Sequence, residues 1–121
     1  MNQTQTHLLT DREKPEWLEY PIQLIELIKS GRSVIIPWHI SKVEAVRIGR
    51  THFAQRIGRD LVMFAYRQDQ EDVACFEKGK GEMVMVLHDN CDSPYAHVGS
   101  YLSFSDWLKA AEEESREWGE S

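Results

Sequence analysis

Three apolar runs of strand length lie close together in the middle of the chain, and they restrict the fold more than any other feature. They span residues 61–66 (LVMFAY), 73–76 (VACF) and 83–87 (MVMVL). Only six residues separate each run from the next. A crossover between parallel strands needs a dozen or more residues. The three runs therefore predict an antiparallel meander joined by hairpins.

Helical patterns flank this meander. Residues 21–30 (PIQLIELIKS) predict a helix, because proline suits a first helical turn and Gly31 suits the left-handed position after the last turn. Residues 103–118 predict a second helix, with Ser103 as its cap. Its apolar side chains share one stripe that we expect to pack on the core, namely Phe104, Trp107, Leu108, Ala111 and Trp118.

The region between the first helix and the meander is less regular. Residues 33–36 (SVII), ended by Pro37, predict a short strand at an edge or boundary of the sheet. Residues 41–58 contain two glycines, and their apolar residues do not settle into one period. We expect a broken helix or two short turns there.

These elements predict an α+β fold with a central antiparallel sheet. The sheet comprises the three-strand meander and at least one further strand, flanked by N- and C-terminal helices. The 121 residues suit one domain, 1–121, with residues 1–12 expected to be mobile. We expect no membrane span, because no apolar run approaches about 20 residues. Two cysteines and the lack of a signal-peptide pattern favour a cytoplasmic setting.

Charge is distributed unevenly along the chain. Residues 1–60 hold 9 basic and 7 acidic side chains, whereas residues 61–121 hold 5 and 13. The net charge of −6 argues against general binding to a phosphate backbone. A basic segment has two interpretations, a nucleic-acid patch or an exposed face that pairs with the acidic C-terminal half, and we prefer the second. It comprises Lys42, Arg47, Arg50, Arg56 and Arg59.

Catalytic or metal-binding chemistry has few candidates. His88 and Asp89 are adjacent, as in some metal-dependent phosphohydrolases, and Cys91 follows closely enough to suggest a thiolate–imidazole pair. Matching ligands and a triad geometry are not evident, so we favour a hydrogen-bonded histidine at a strand end. Cys75 lies inside an apolar run and is predicted to be buried. We expect no metal and no cofactor.

Three segments together resemble the SUKH superfamily. They are residues 59–77 (RDLVMFAYRQDQEDVACFE), 84–95 (VMVLHDNCDSPY) and 103–114 (SFSDWLKAAEEE), and the similarity extends over about residues 15–118. That superfamily includes the Smi/Knr-type cell-wall regulators of fungi and many bacterial immunity proteins. The resemblance implies an α+β domain that is not an enzyme and that binds and neutralises a cognate toxin, often a nuclease. It also implies packing roles for Trp38, Phe64, Cys75, Phe76 and Trp107.

We therefore expect a non-enzymatic protein-binding module of the immunity type. Its partner would be a cognate toxin or another protein, with no direct binding to nucleic acid or membrane. The expected contact surface is acidic and comprises Asp69, Glu71, Asp72, Asp89 and Asp92. Two alternatives stay open: a regulatory scaffold domain that binds a host protein through an apolar patch, and a small hydrolase that uses His88, Asp89 and Cys91.

Overall fold

The computed structural model of the chain describes residues 4–67, 69, 71–88 and 96–120. Its helices are α1 (Thr4–His7), α2 (Ile22–Lys29), α3 (Val43–Ile57) and α4 (Phe104–Glu120). Its strands are β1 (Val34–Ile35), β2 (Trp38–Ile40), β3 (Leu61–Arg67), β4 (Asp72–Glu77), β5 (Val84–His88) and β6 (Ala96–Tyr101). Within this part of the chain the strands form one antiparallel sheet in the order β1-β2-β3-β4-β5-β6. The expected α+β class is confirmed.

The predicted meander is present as β3, β4 and β5. Both of its connections are hairpins, as their lengths required. Gly79 and Gly81 occupy the β4–β5 turn with φ of +83° and +60°, a conformation that L side chains rarely adopt. Two further strands, β2 and β6, were not foreseen from the sequence. The predicted strand before Pro37 is confirmed as β1, which lies at the edge of the sheet.

Residues 43–57 form one continuous helix, α3, so the expectation of a broken helix or two turns was wrong. The buried positions Val43, Val46 and Phe53 fit the helical period, whereas Ile48 is 58% exposed on the opposite side. Including Ile48 in the core obscured that period. Gly49 lies where α3 approaches the sheet closely, since a Cβ there would come within 3.0 Å of the Met63 sulfur.

Helices cover both faces of the sheet. The α4 face carries Val62, Phe76 and Val84, which pack with side chains of α2 and α4. The α3 face carries Leu61, Cys75 and Leu87, which pack with Phe53 of α3. Neighbouring residues of a strand point to opposite faces, so strands covered on both sides are apolar throughout. This explains why the meander runs are continuous rather than alternating.

An aromatic cluster forms the centre of the α4 face. The Phe64 ring lies 4.7 Å from that of Phe76 and 4.8 Å from that of Trp107, and Trp38 meets Trp107 edge-on at 5.4 Å. Such pairs contribute about 0.5–1.5 kcal/mol each beyond the area they bury. The five positions with an implied packing role, Cys75 and these four rings, are all buried.

Both predicted terminal helices are present, and the chain before α2 is packed as well. Ser103 caps α4, because its hydroxyl accepts a hydrogen bond from the Asp106 amide at 3.2 Å. Gly31 follows α2 with φ of +83°, as predicted. Leu8 and Leu9, within the N-terminal segment 1–12, lie in the core. Among the described residues, no helix combines the length and apolarity that a bilayer crossing requires.

Candidate partner-binding surface

The tip of the β3–β4 hairpin carries two exposed acidic residues, Asp69 and Glu71. Glu71 adopts φ of +57°, which is costly for a residue with a side chain because the Cβ crowds the backbone. Asp72, the first residue of β4, is only 5% exposed, so its carboxylate adds little to the charge of the hairpin tip. Of the three predicted acids in this region, Asp69 and Glu71 therefore lie at the tip and Asp72 lies in the interior.

Arg67 connects this tip to helix α4. Its guanidinium donates hydrogen bonds to both carboxylate oxygens of Asp69, at 2.9 and 2.8 Å. It also donates one to Glu114 at 3.1 Å and lies 2.9 Å from the other Glu114 oxygen. The Arg67 side chain is 11% exposed and lies over the Trp38 ring, 5.6 Å from its centroid. Two acidic segments that are 45 residues apart in sequence, at Asp69 and Glu114, therefore meet at one arginine.

The electrostatics of this contact stabilise its ionised form. The hydrogen bonds from Arg67 lower the pKa of Asp69. Those same bonds, followed by the ones to Glu114, raise the pKa of Arg67 despite the opposing effect of its burial. Charged, bidentate hydrogen bonds of this kind are about twice as strong as neutral ones. The hairpin tip is therefore held against α4 at neutral pH.

Helix α4 extends the acidic character beyond this contact. It contains six acidic and two basic residues, and its last turn contains no basic residue. Carboxylates near a helix C-terminus oppose the helix dipole. Trp118, predicted to pack on the core with the rest of its stripe, is instead 44% exposed. It follows Glu114 by one helical turn, so its side chain projects on the same side of the helix.

These residues define one surface, which we call the hairpin–helix surface. It comprises Asp69, Glu71, Glu114, Glu117 and Trp118. Two members, Asp69 and Glu71, were predicted from the sequence. Arg67 and Trp118 were not recognised as parts of a site. The available signal was Arg67 itself, a single base at the end of an apolar strand and directly before an acidic turn.

His88 ends β5 beside the buried Asp72, as their cross-strand register requires. The two side chains form a hydrogen bond of 2.7 Å between Nδ1 and Oδ1, which confirms the predicted hydrogen-bonded histidine at a strand end. Asp89, Cys91 and Asp92 lie outside the described residues. Within the described ranges, no group of three or more histidine, cysteine, aspartate or glutamate side chains is arranged to hold a metal.

Cys75 is fully buried on the α3 face. Burial raises the pKa of its thiol strongly, because the interior cannot solvate a thiolate. A thiol in that state is a weak nucleophile. Cys75 therefore behaves as a small packing residue, as predicted.

Three arginines of the basic segment pair with acids, two of them in the N-terminal half of the chain and one in the C-terminal half. The Arg47 guanidinium forms a bidentate contact with Glu13, and Arg50 donates to Asp60 at 3.1 Å. Both acids belong to the N-terminal half, so the expected pairing with the C-terminal half was wrong for these two arginines. Arg59 does pair with that half, through bonds of 2.8 and 2.6 Å to Glu77.

Comparison of the chain with protein-family models, curated proteins and solved structures found no match. The SUKH resemblance thus rests on the sequence segments quoted above.

Proposed function

We propose that this protein is a non-enzymatic binding module that docks a basic partner protein on the hairpin–helix surface. The observation that carries the proposal is the contact of Arg67 with Asp69 and Glu114, which unites the hairpin tip and the acidic half of α4. Acidic surfaces accelerate encounter with basic partners, and an aromatic anchor such as Trp118 slows dissociation. The SUKH resemblance suggests an immunity role, with a toxin, possibly a nuclease, as the partner.

Two residue choices on this surface reduce the stability of the fold, and this supports the proposal. Glu71 keeps a side chain at a φ that favours glycine or asparagine, and α4 keeps glutamates where the helix dipole disfavours them. Neither feature improves folding of the isolated domain. Strain of this kind tends to concentrate where a surface serves a partner or a ligand.

The direct test is binding to the protein encoded beside this gene, measured by calorimetry at two salt concentrations. We expect a dissociation constant in the micromolar range or below, weakened at least tenfold between about 50 and 500 mM salt because surface charges are screened. The double variant Glu71→Gln/Glu117→Gln should weaken binding similarly at low salt. Glu82→Gln, an exposed acid in the β4–β5 turn at the other end of the strands, is the matched control and should bind normally.

Lack of binding to any product of a neighbouring gene would contradict the immunity role. Binding that is equally tight in both variants would contradict the assignment of the surface.

A specific observation favours the scaffold alternative. Val34, His39 and Tyr66 lie in register across β1, β2 and β3 on the α3 face, and the His39 and Tyr66 rings stack at 5.3 Å. Val34 and Tyr66 are exposed. A partner docked on this row would bind through apolar contacts that salt does not weaken. The scaffold role would be favoured if Tyr66→Ser abolished binding and Glu71→Gln/Glu117→Gln bound as tightly as the wild type.

A further inference from the structure

A groove of about 360 Å³ lies between α4 and the sheet. Its lining includes the charged side chains Arg67, Asp72 and Glu114, the rings of Trp38 and Trp107, and Gly99 of β6. The volume is at the lower end of the range for small-ligand sites, so it suits one long side chain rather than a folded segment.

Gly99 keeps the β6 side of the groove open. It pairs with Val86, which places it on the α4 face. A Cβ built at Gly99 would meet no atom within 4 Å, and its backbone is not in the left-handed region. The space above this strand is therefore unfilled by the described residues, and a larger side chain at position 99 would enter it.

The charge of the groove favours a cation. Asp69, Asp72 and Glu114 place three carboxylates in and beside it, against the one guanidinium of Arg67. Among these four side chains, the excess is two negative charges. The tryptophan ring at the Arg67 end of the groove already attracts one cation, as the face of an indole does. Arg67 already lies over Trp38 in this way.

We propose that this groove receives a lysine or arginine side chain of the partner, with its charged end near Asp72 and Glu114 and its aliphatic stem in the open space above Gly99. The proposal deepens the function proposed above and rests on it, because the occupant belongs to the partner that the hairpin–helix surface attracts. It names the chemistry of the central contact, a cation on a flexible apolar stem.

The test uses Nα-acetyl-lysine-N-methylamide as the probe, titrated into ¹⁵N-labelled full-length protein and followed by NMR. The indole N–H signals of Trp38 and Trp107 should shift with saturation in the millimolar range. The signal of Trp17, whose indole donates to Asp60 away from the groove, should not move. The neutral analogue Nα-acetyl-norleucine-N-methylamide should bind at least fivefold more weakly.

Variants of matched design link these shifts to the groove. Gly99→Leu fills the space and should weaken the probe at least tenfold, whereas His97→Leu, on the same strand but paired with Leu87 of the α3 face, should leave it unchanged. Asp72→Asn should also weaken the probe, and Asp106→Asn, an exposed carboxylate outside the groove lining, should not. Retained amide-signal dispersion shows that each variant is folded.

Three outcomes would overturn the proposal: no shift at Trp38 and Trp107, equal binding of the norleucine analogue, or binding of putrescine without the lysine amide. The last result would assign the groove to a free amine. If Gly99→Leu bound the partner as tightly as the wild type, the role of the groove would be refuted, but the role of the hairpin–helix surface would not. Probe binding in a protein that binds no partner would refute the proposed function instead.

Discussion

Glu71 shows at the scale of one residue how a local conformation and a surface role compete. Its φ of +57° places it in the left-handed region, where residues with a Cβ are destabilised by about 1–2 kcal/mol. Asparagine tolerates this region well, because its short side chain bonds to the local backbone. The charge at the tip is thus retained at a cost to stability.

We predict that Glu71→Asn raises the free energy of unfolding by about 0.5–1 kcal/mol, since it relieves the strained backbone at this position. The same variant should weaken partner binding, because it removes a surface charge. Chemical denaturation measures the first effect. Glu71→Gln is the control, since it removes the charge but keeps the strain and should gain no stability.

Glu77 is the second residue with a testable individual role. The hydrogen bonds from Arg59 hold the pKa of Glu77 below its ordinary value in the folded protein. In the unfolded chain that pKa returns to about 4.3, so the unfolded state binds a proton first as pH falls. The stability from this pair is fully present above about pH 5 and is lost as pH falls through the folded pKa.

We predict that Glu77→Gln lowers the free energy of unfolding by about 1–2 kcal/mol at pH 7, because it leaves the partly buried Arg59 without its charged partner. That difference from the wild type should shrink steadily below about pH 4.5. Denaturation curves at pH 7, 5, 4 and 3 measure it. A difference that is constant over this range would show that Arg59 does not control the ionisation of Glu77.

At the scale of elements, α4 has a stabilising N-terminus and a destabilising C-terminus. Ser103 and Asp106 favour its N-terminus, whereas the glutamates of its second half oppose the dipole. Reversing one exposed charge at each end should therefore have opposite effects. Glu117→Lys should stabilise the protein by about 0.3–1 kcal/mol, and Asp106→Lys should destabilise it by a similar amount.

Denaturation at 50 mM and 500 mM salt checks this pair of variants. Both effects should diminish at high salt, because the dipole interaction is screened. Effects of the same sign would show that the helix dipole does not govern these positions. Glu117→Lys should still weaken partner binding, which separates folding from function.

The elements also show which parts of the fold were predictable. The meander was predicted because its strands are apolar on both faces and its connections are too short for crossovers. Strand β2 has only three residues, and β6 (AHVGSY) is polar with a central glycine, so neither carries a hydrophobic signal. Helix α3 touches the core through few side chains and presents Ile48 to solvent, so its period was hidden.

At the scale of the whole molecule, the charge asymmetry of the sequence becomes an asymmetry of faces. Helix α3 carries three arginines and one glutamate on one side of the sheet, and α4 carries a net of four negative charges on the other. The imbalance was predictable from the sequence, whereas its arrangement in space was not. The contact of Arg67 with Glu114 depends on how α4 crosses the sheet, which no local pattern encodes.

This arrangement also limits which predicted site residues can act together. Asp69 and Glu71 remain on the surface, while Asp72 turns inward to His88 and lines the groove. Asp69 and Glu71 precede β4 at the hairpin tip, whereas Asp72 is the first residue of β4 and lies on the α4 side of the sheet. Counting acids in sequence therefore overstated the exposed charge of the tip, because Asp72 is buried.

The most direct test of the central claim is the association rate with the partner encoded beside this gene, measured by stopped flow against salt concentration. If the hairpin–helix surface steers a basic partner, the rate should fall at least tenfold from about 20 to 300 mM salt. Glu71→Gln/Glu117→Gln should flatten that dependence, and Glu82→Gln should not. A rate that does not respond to salt, or a double variant as salt-sensitive as the wild type, would contradict the account.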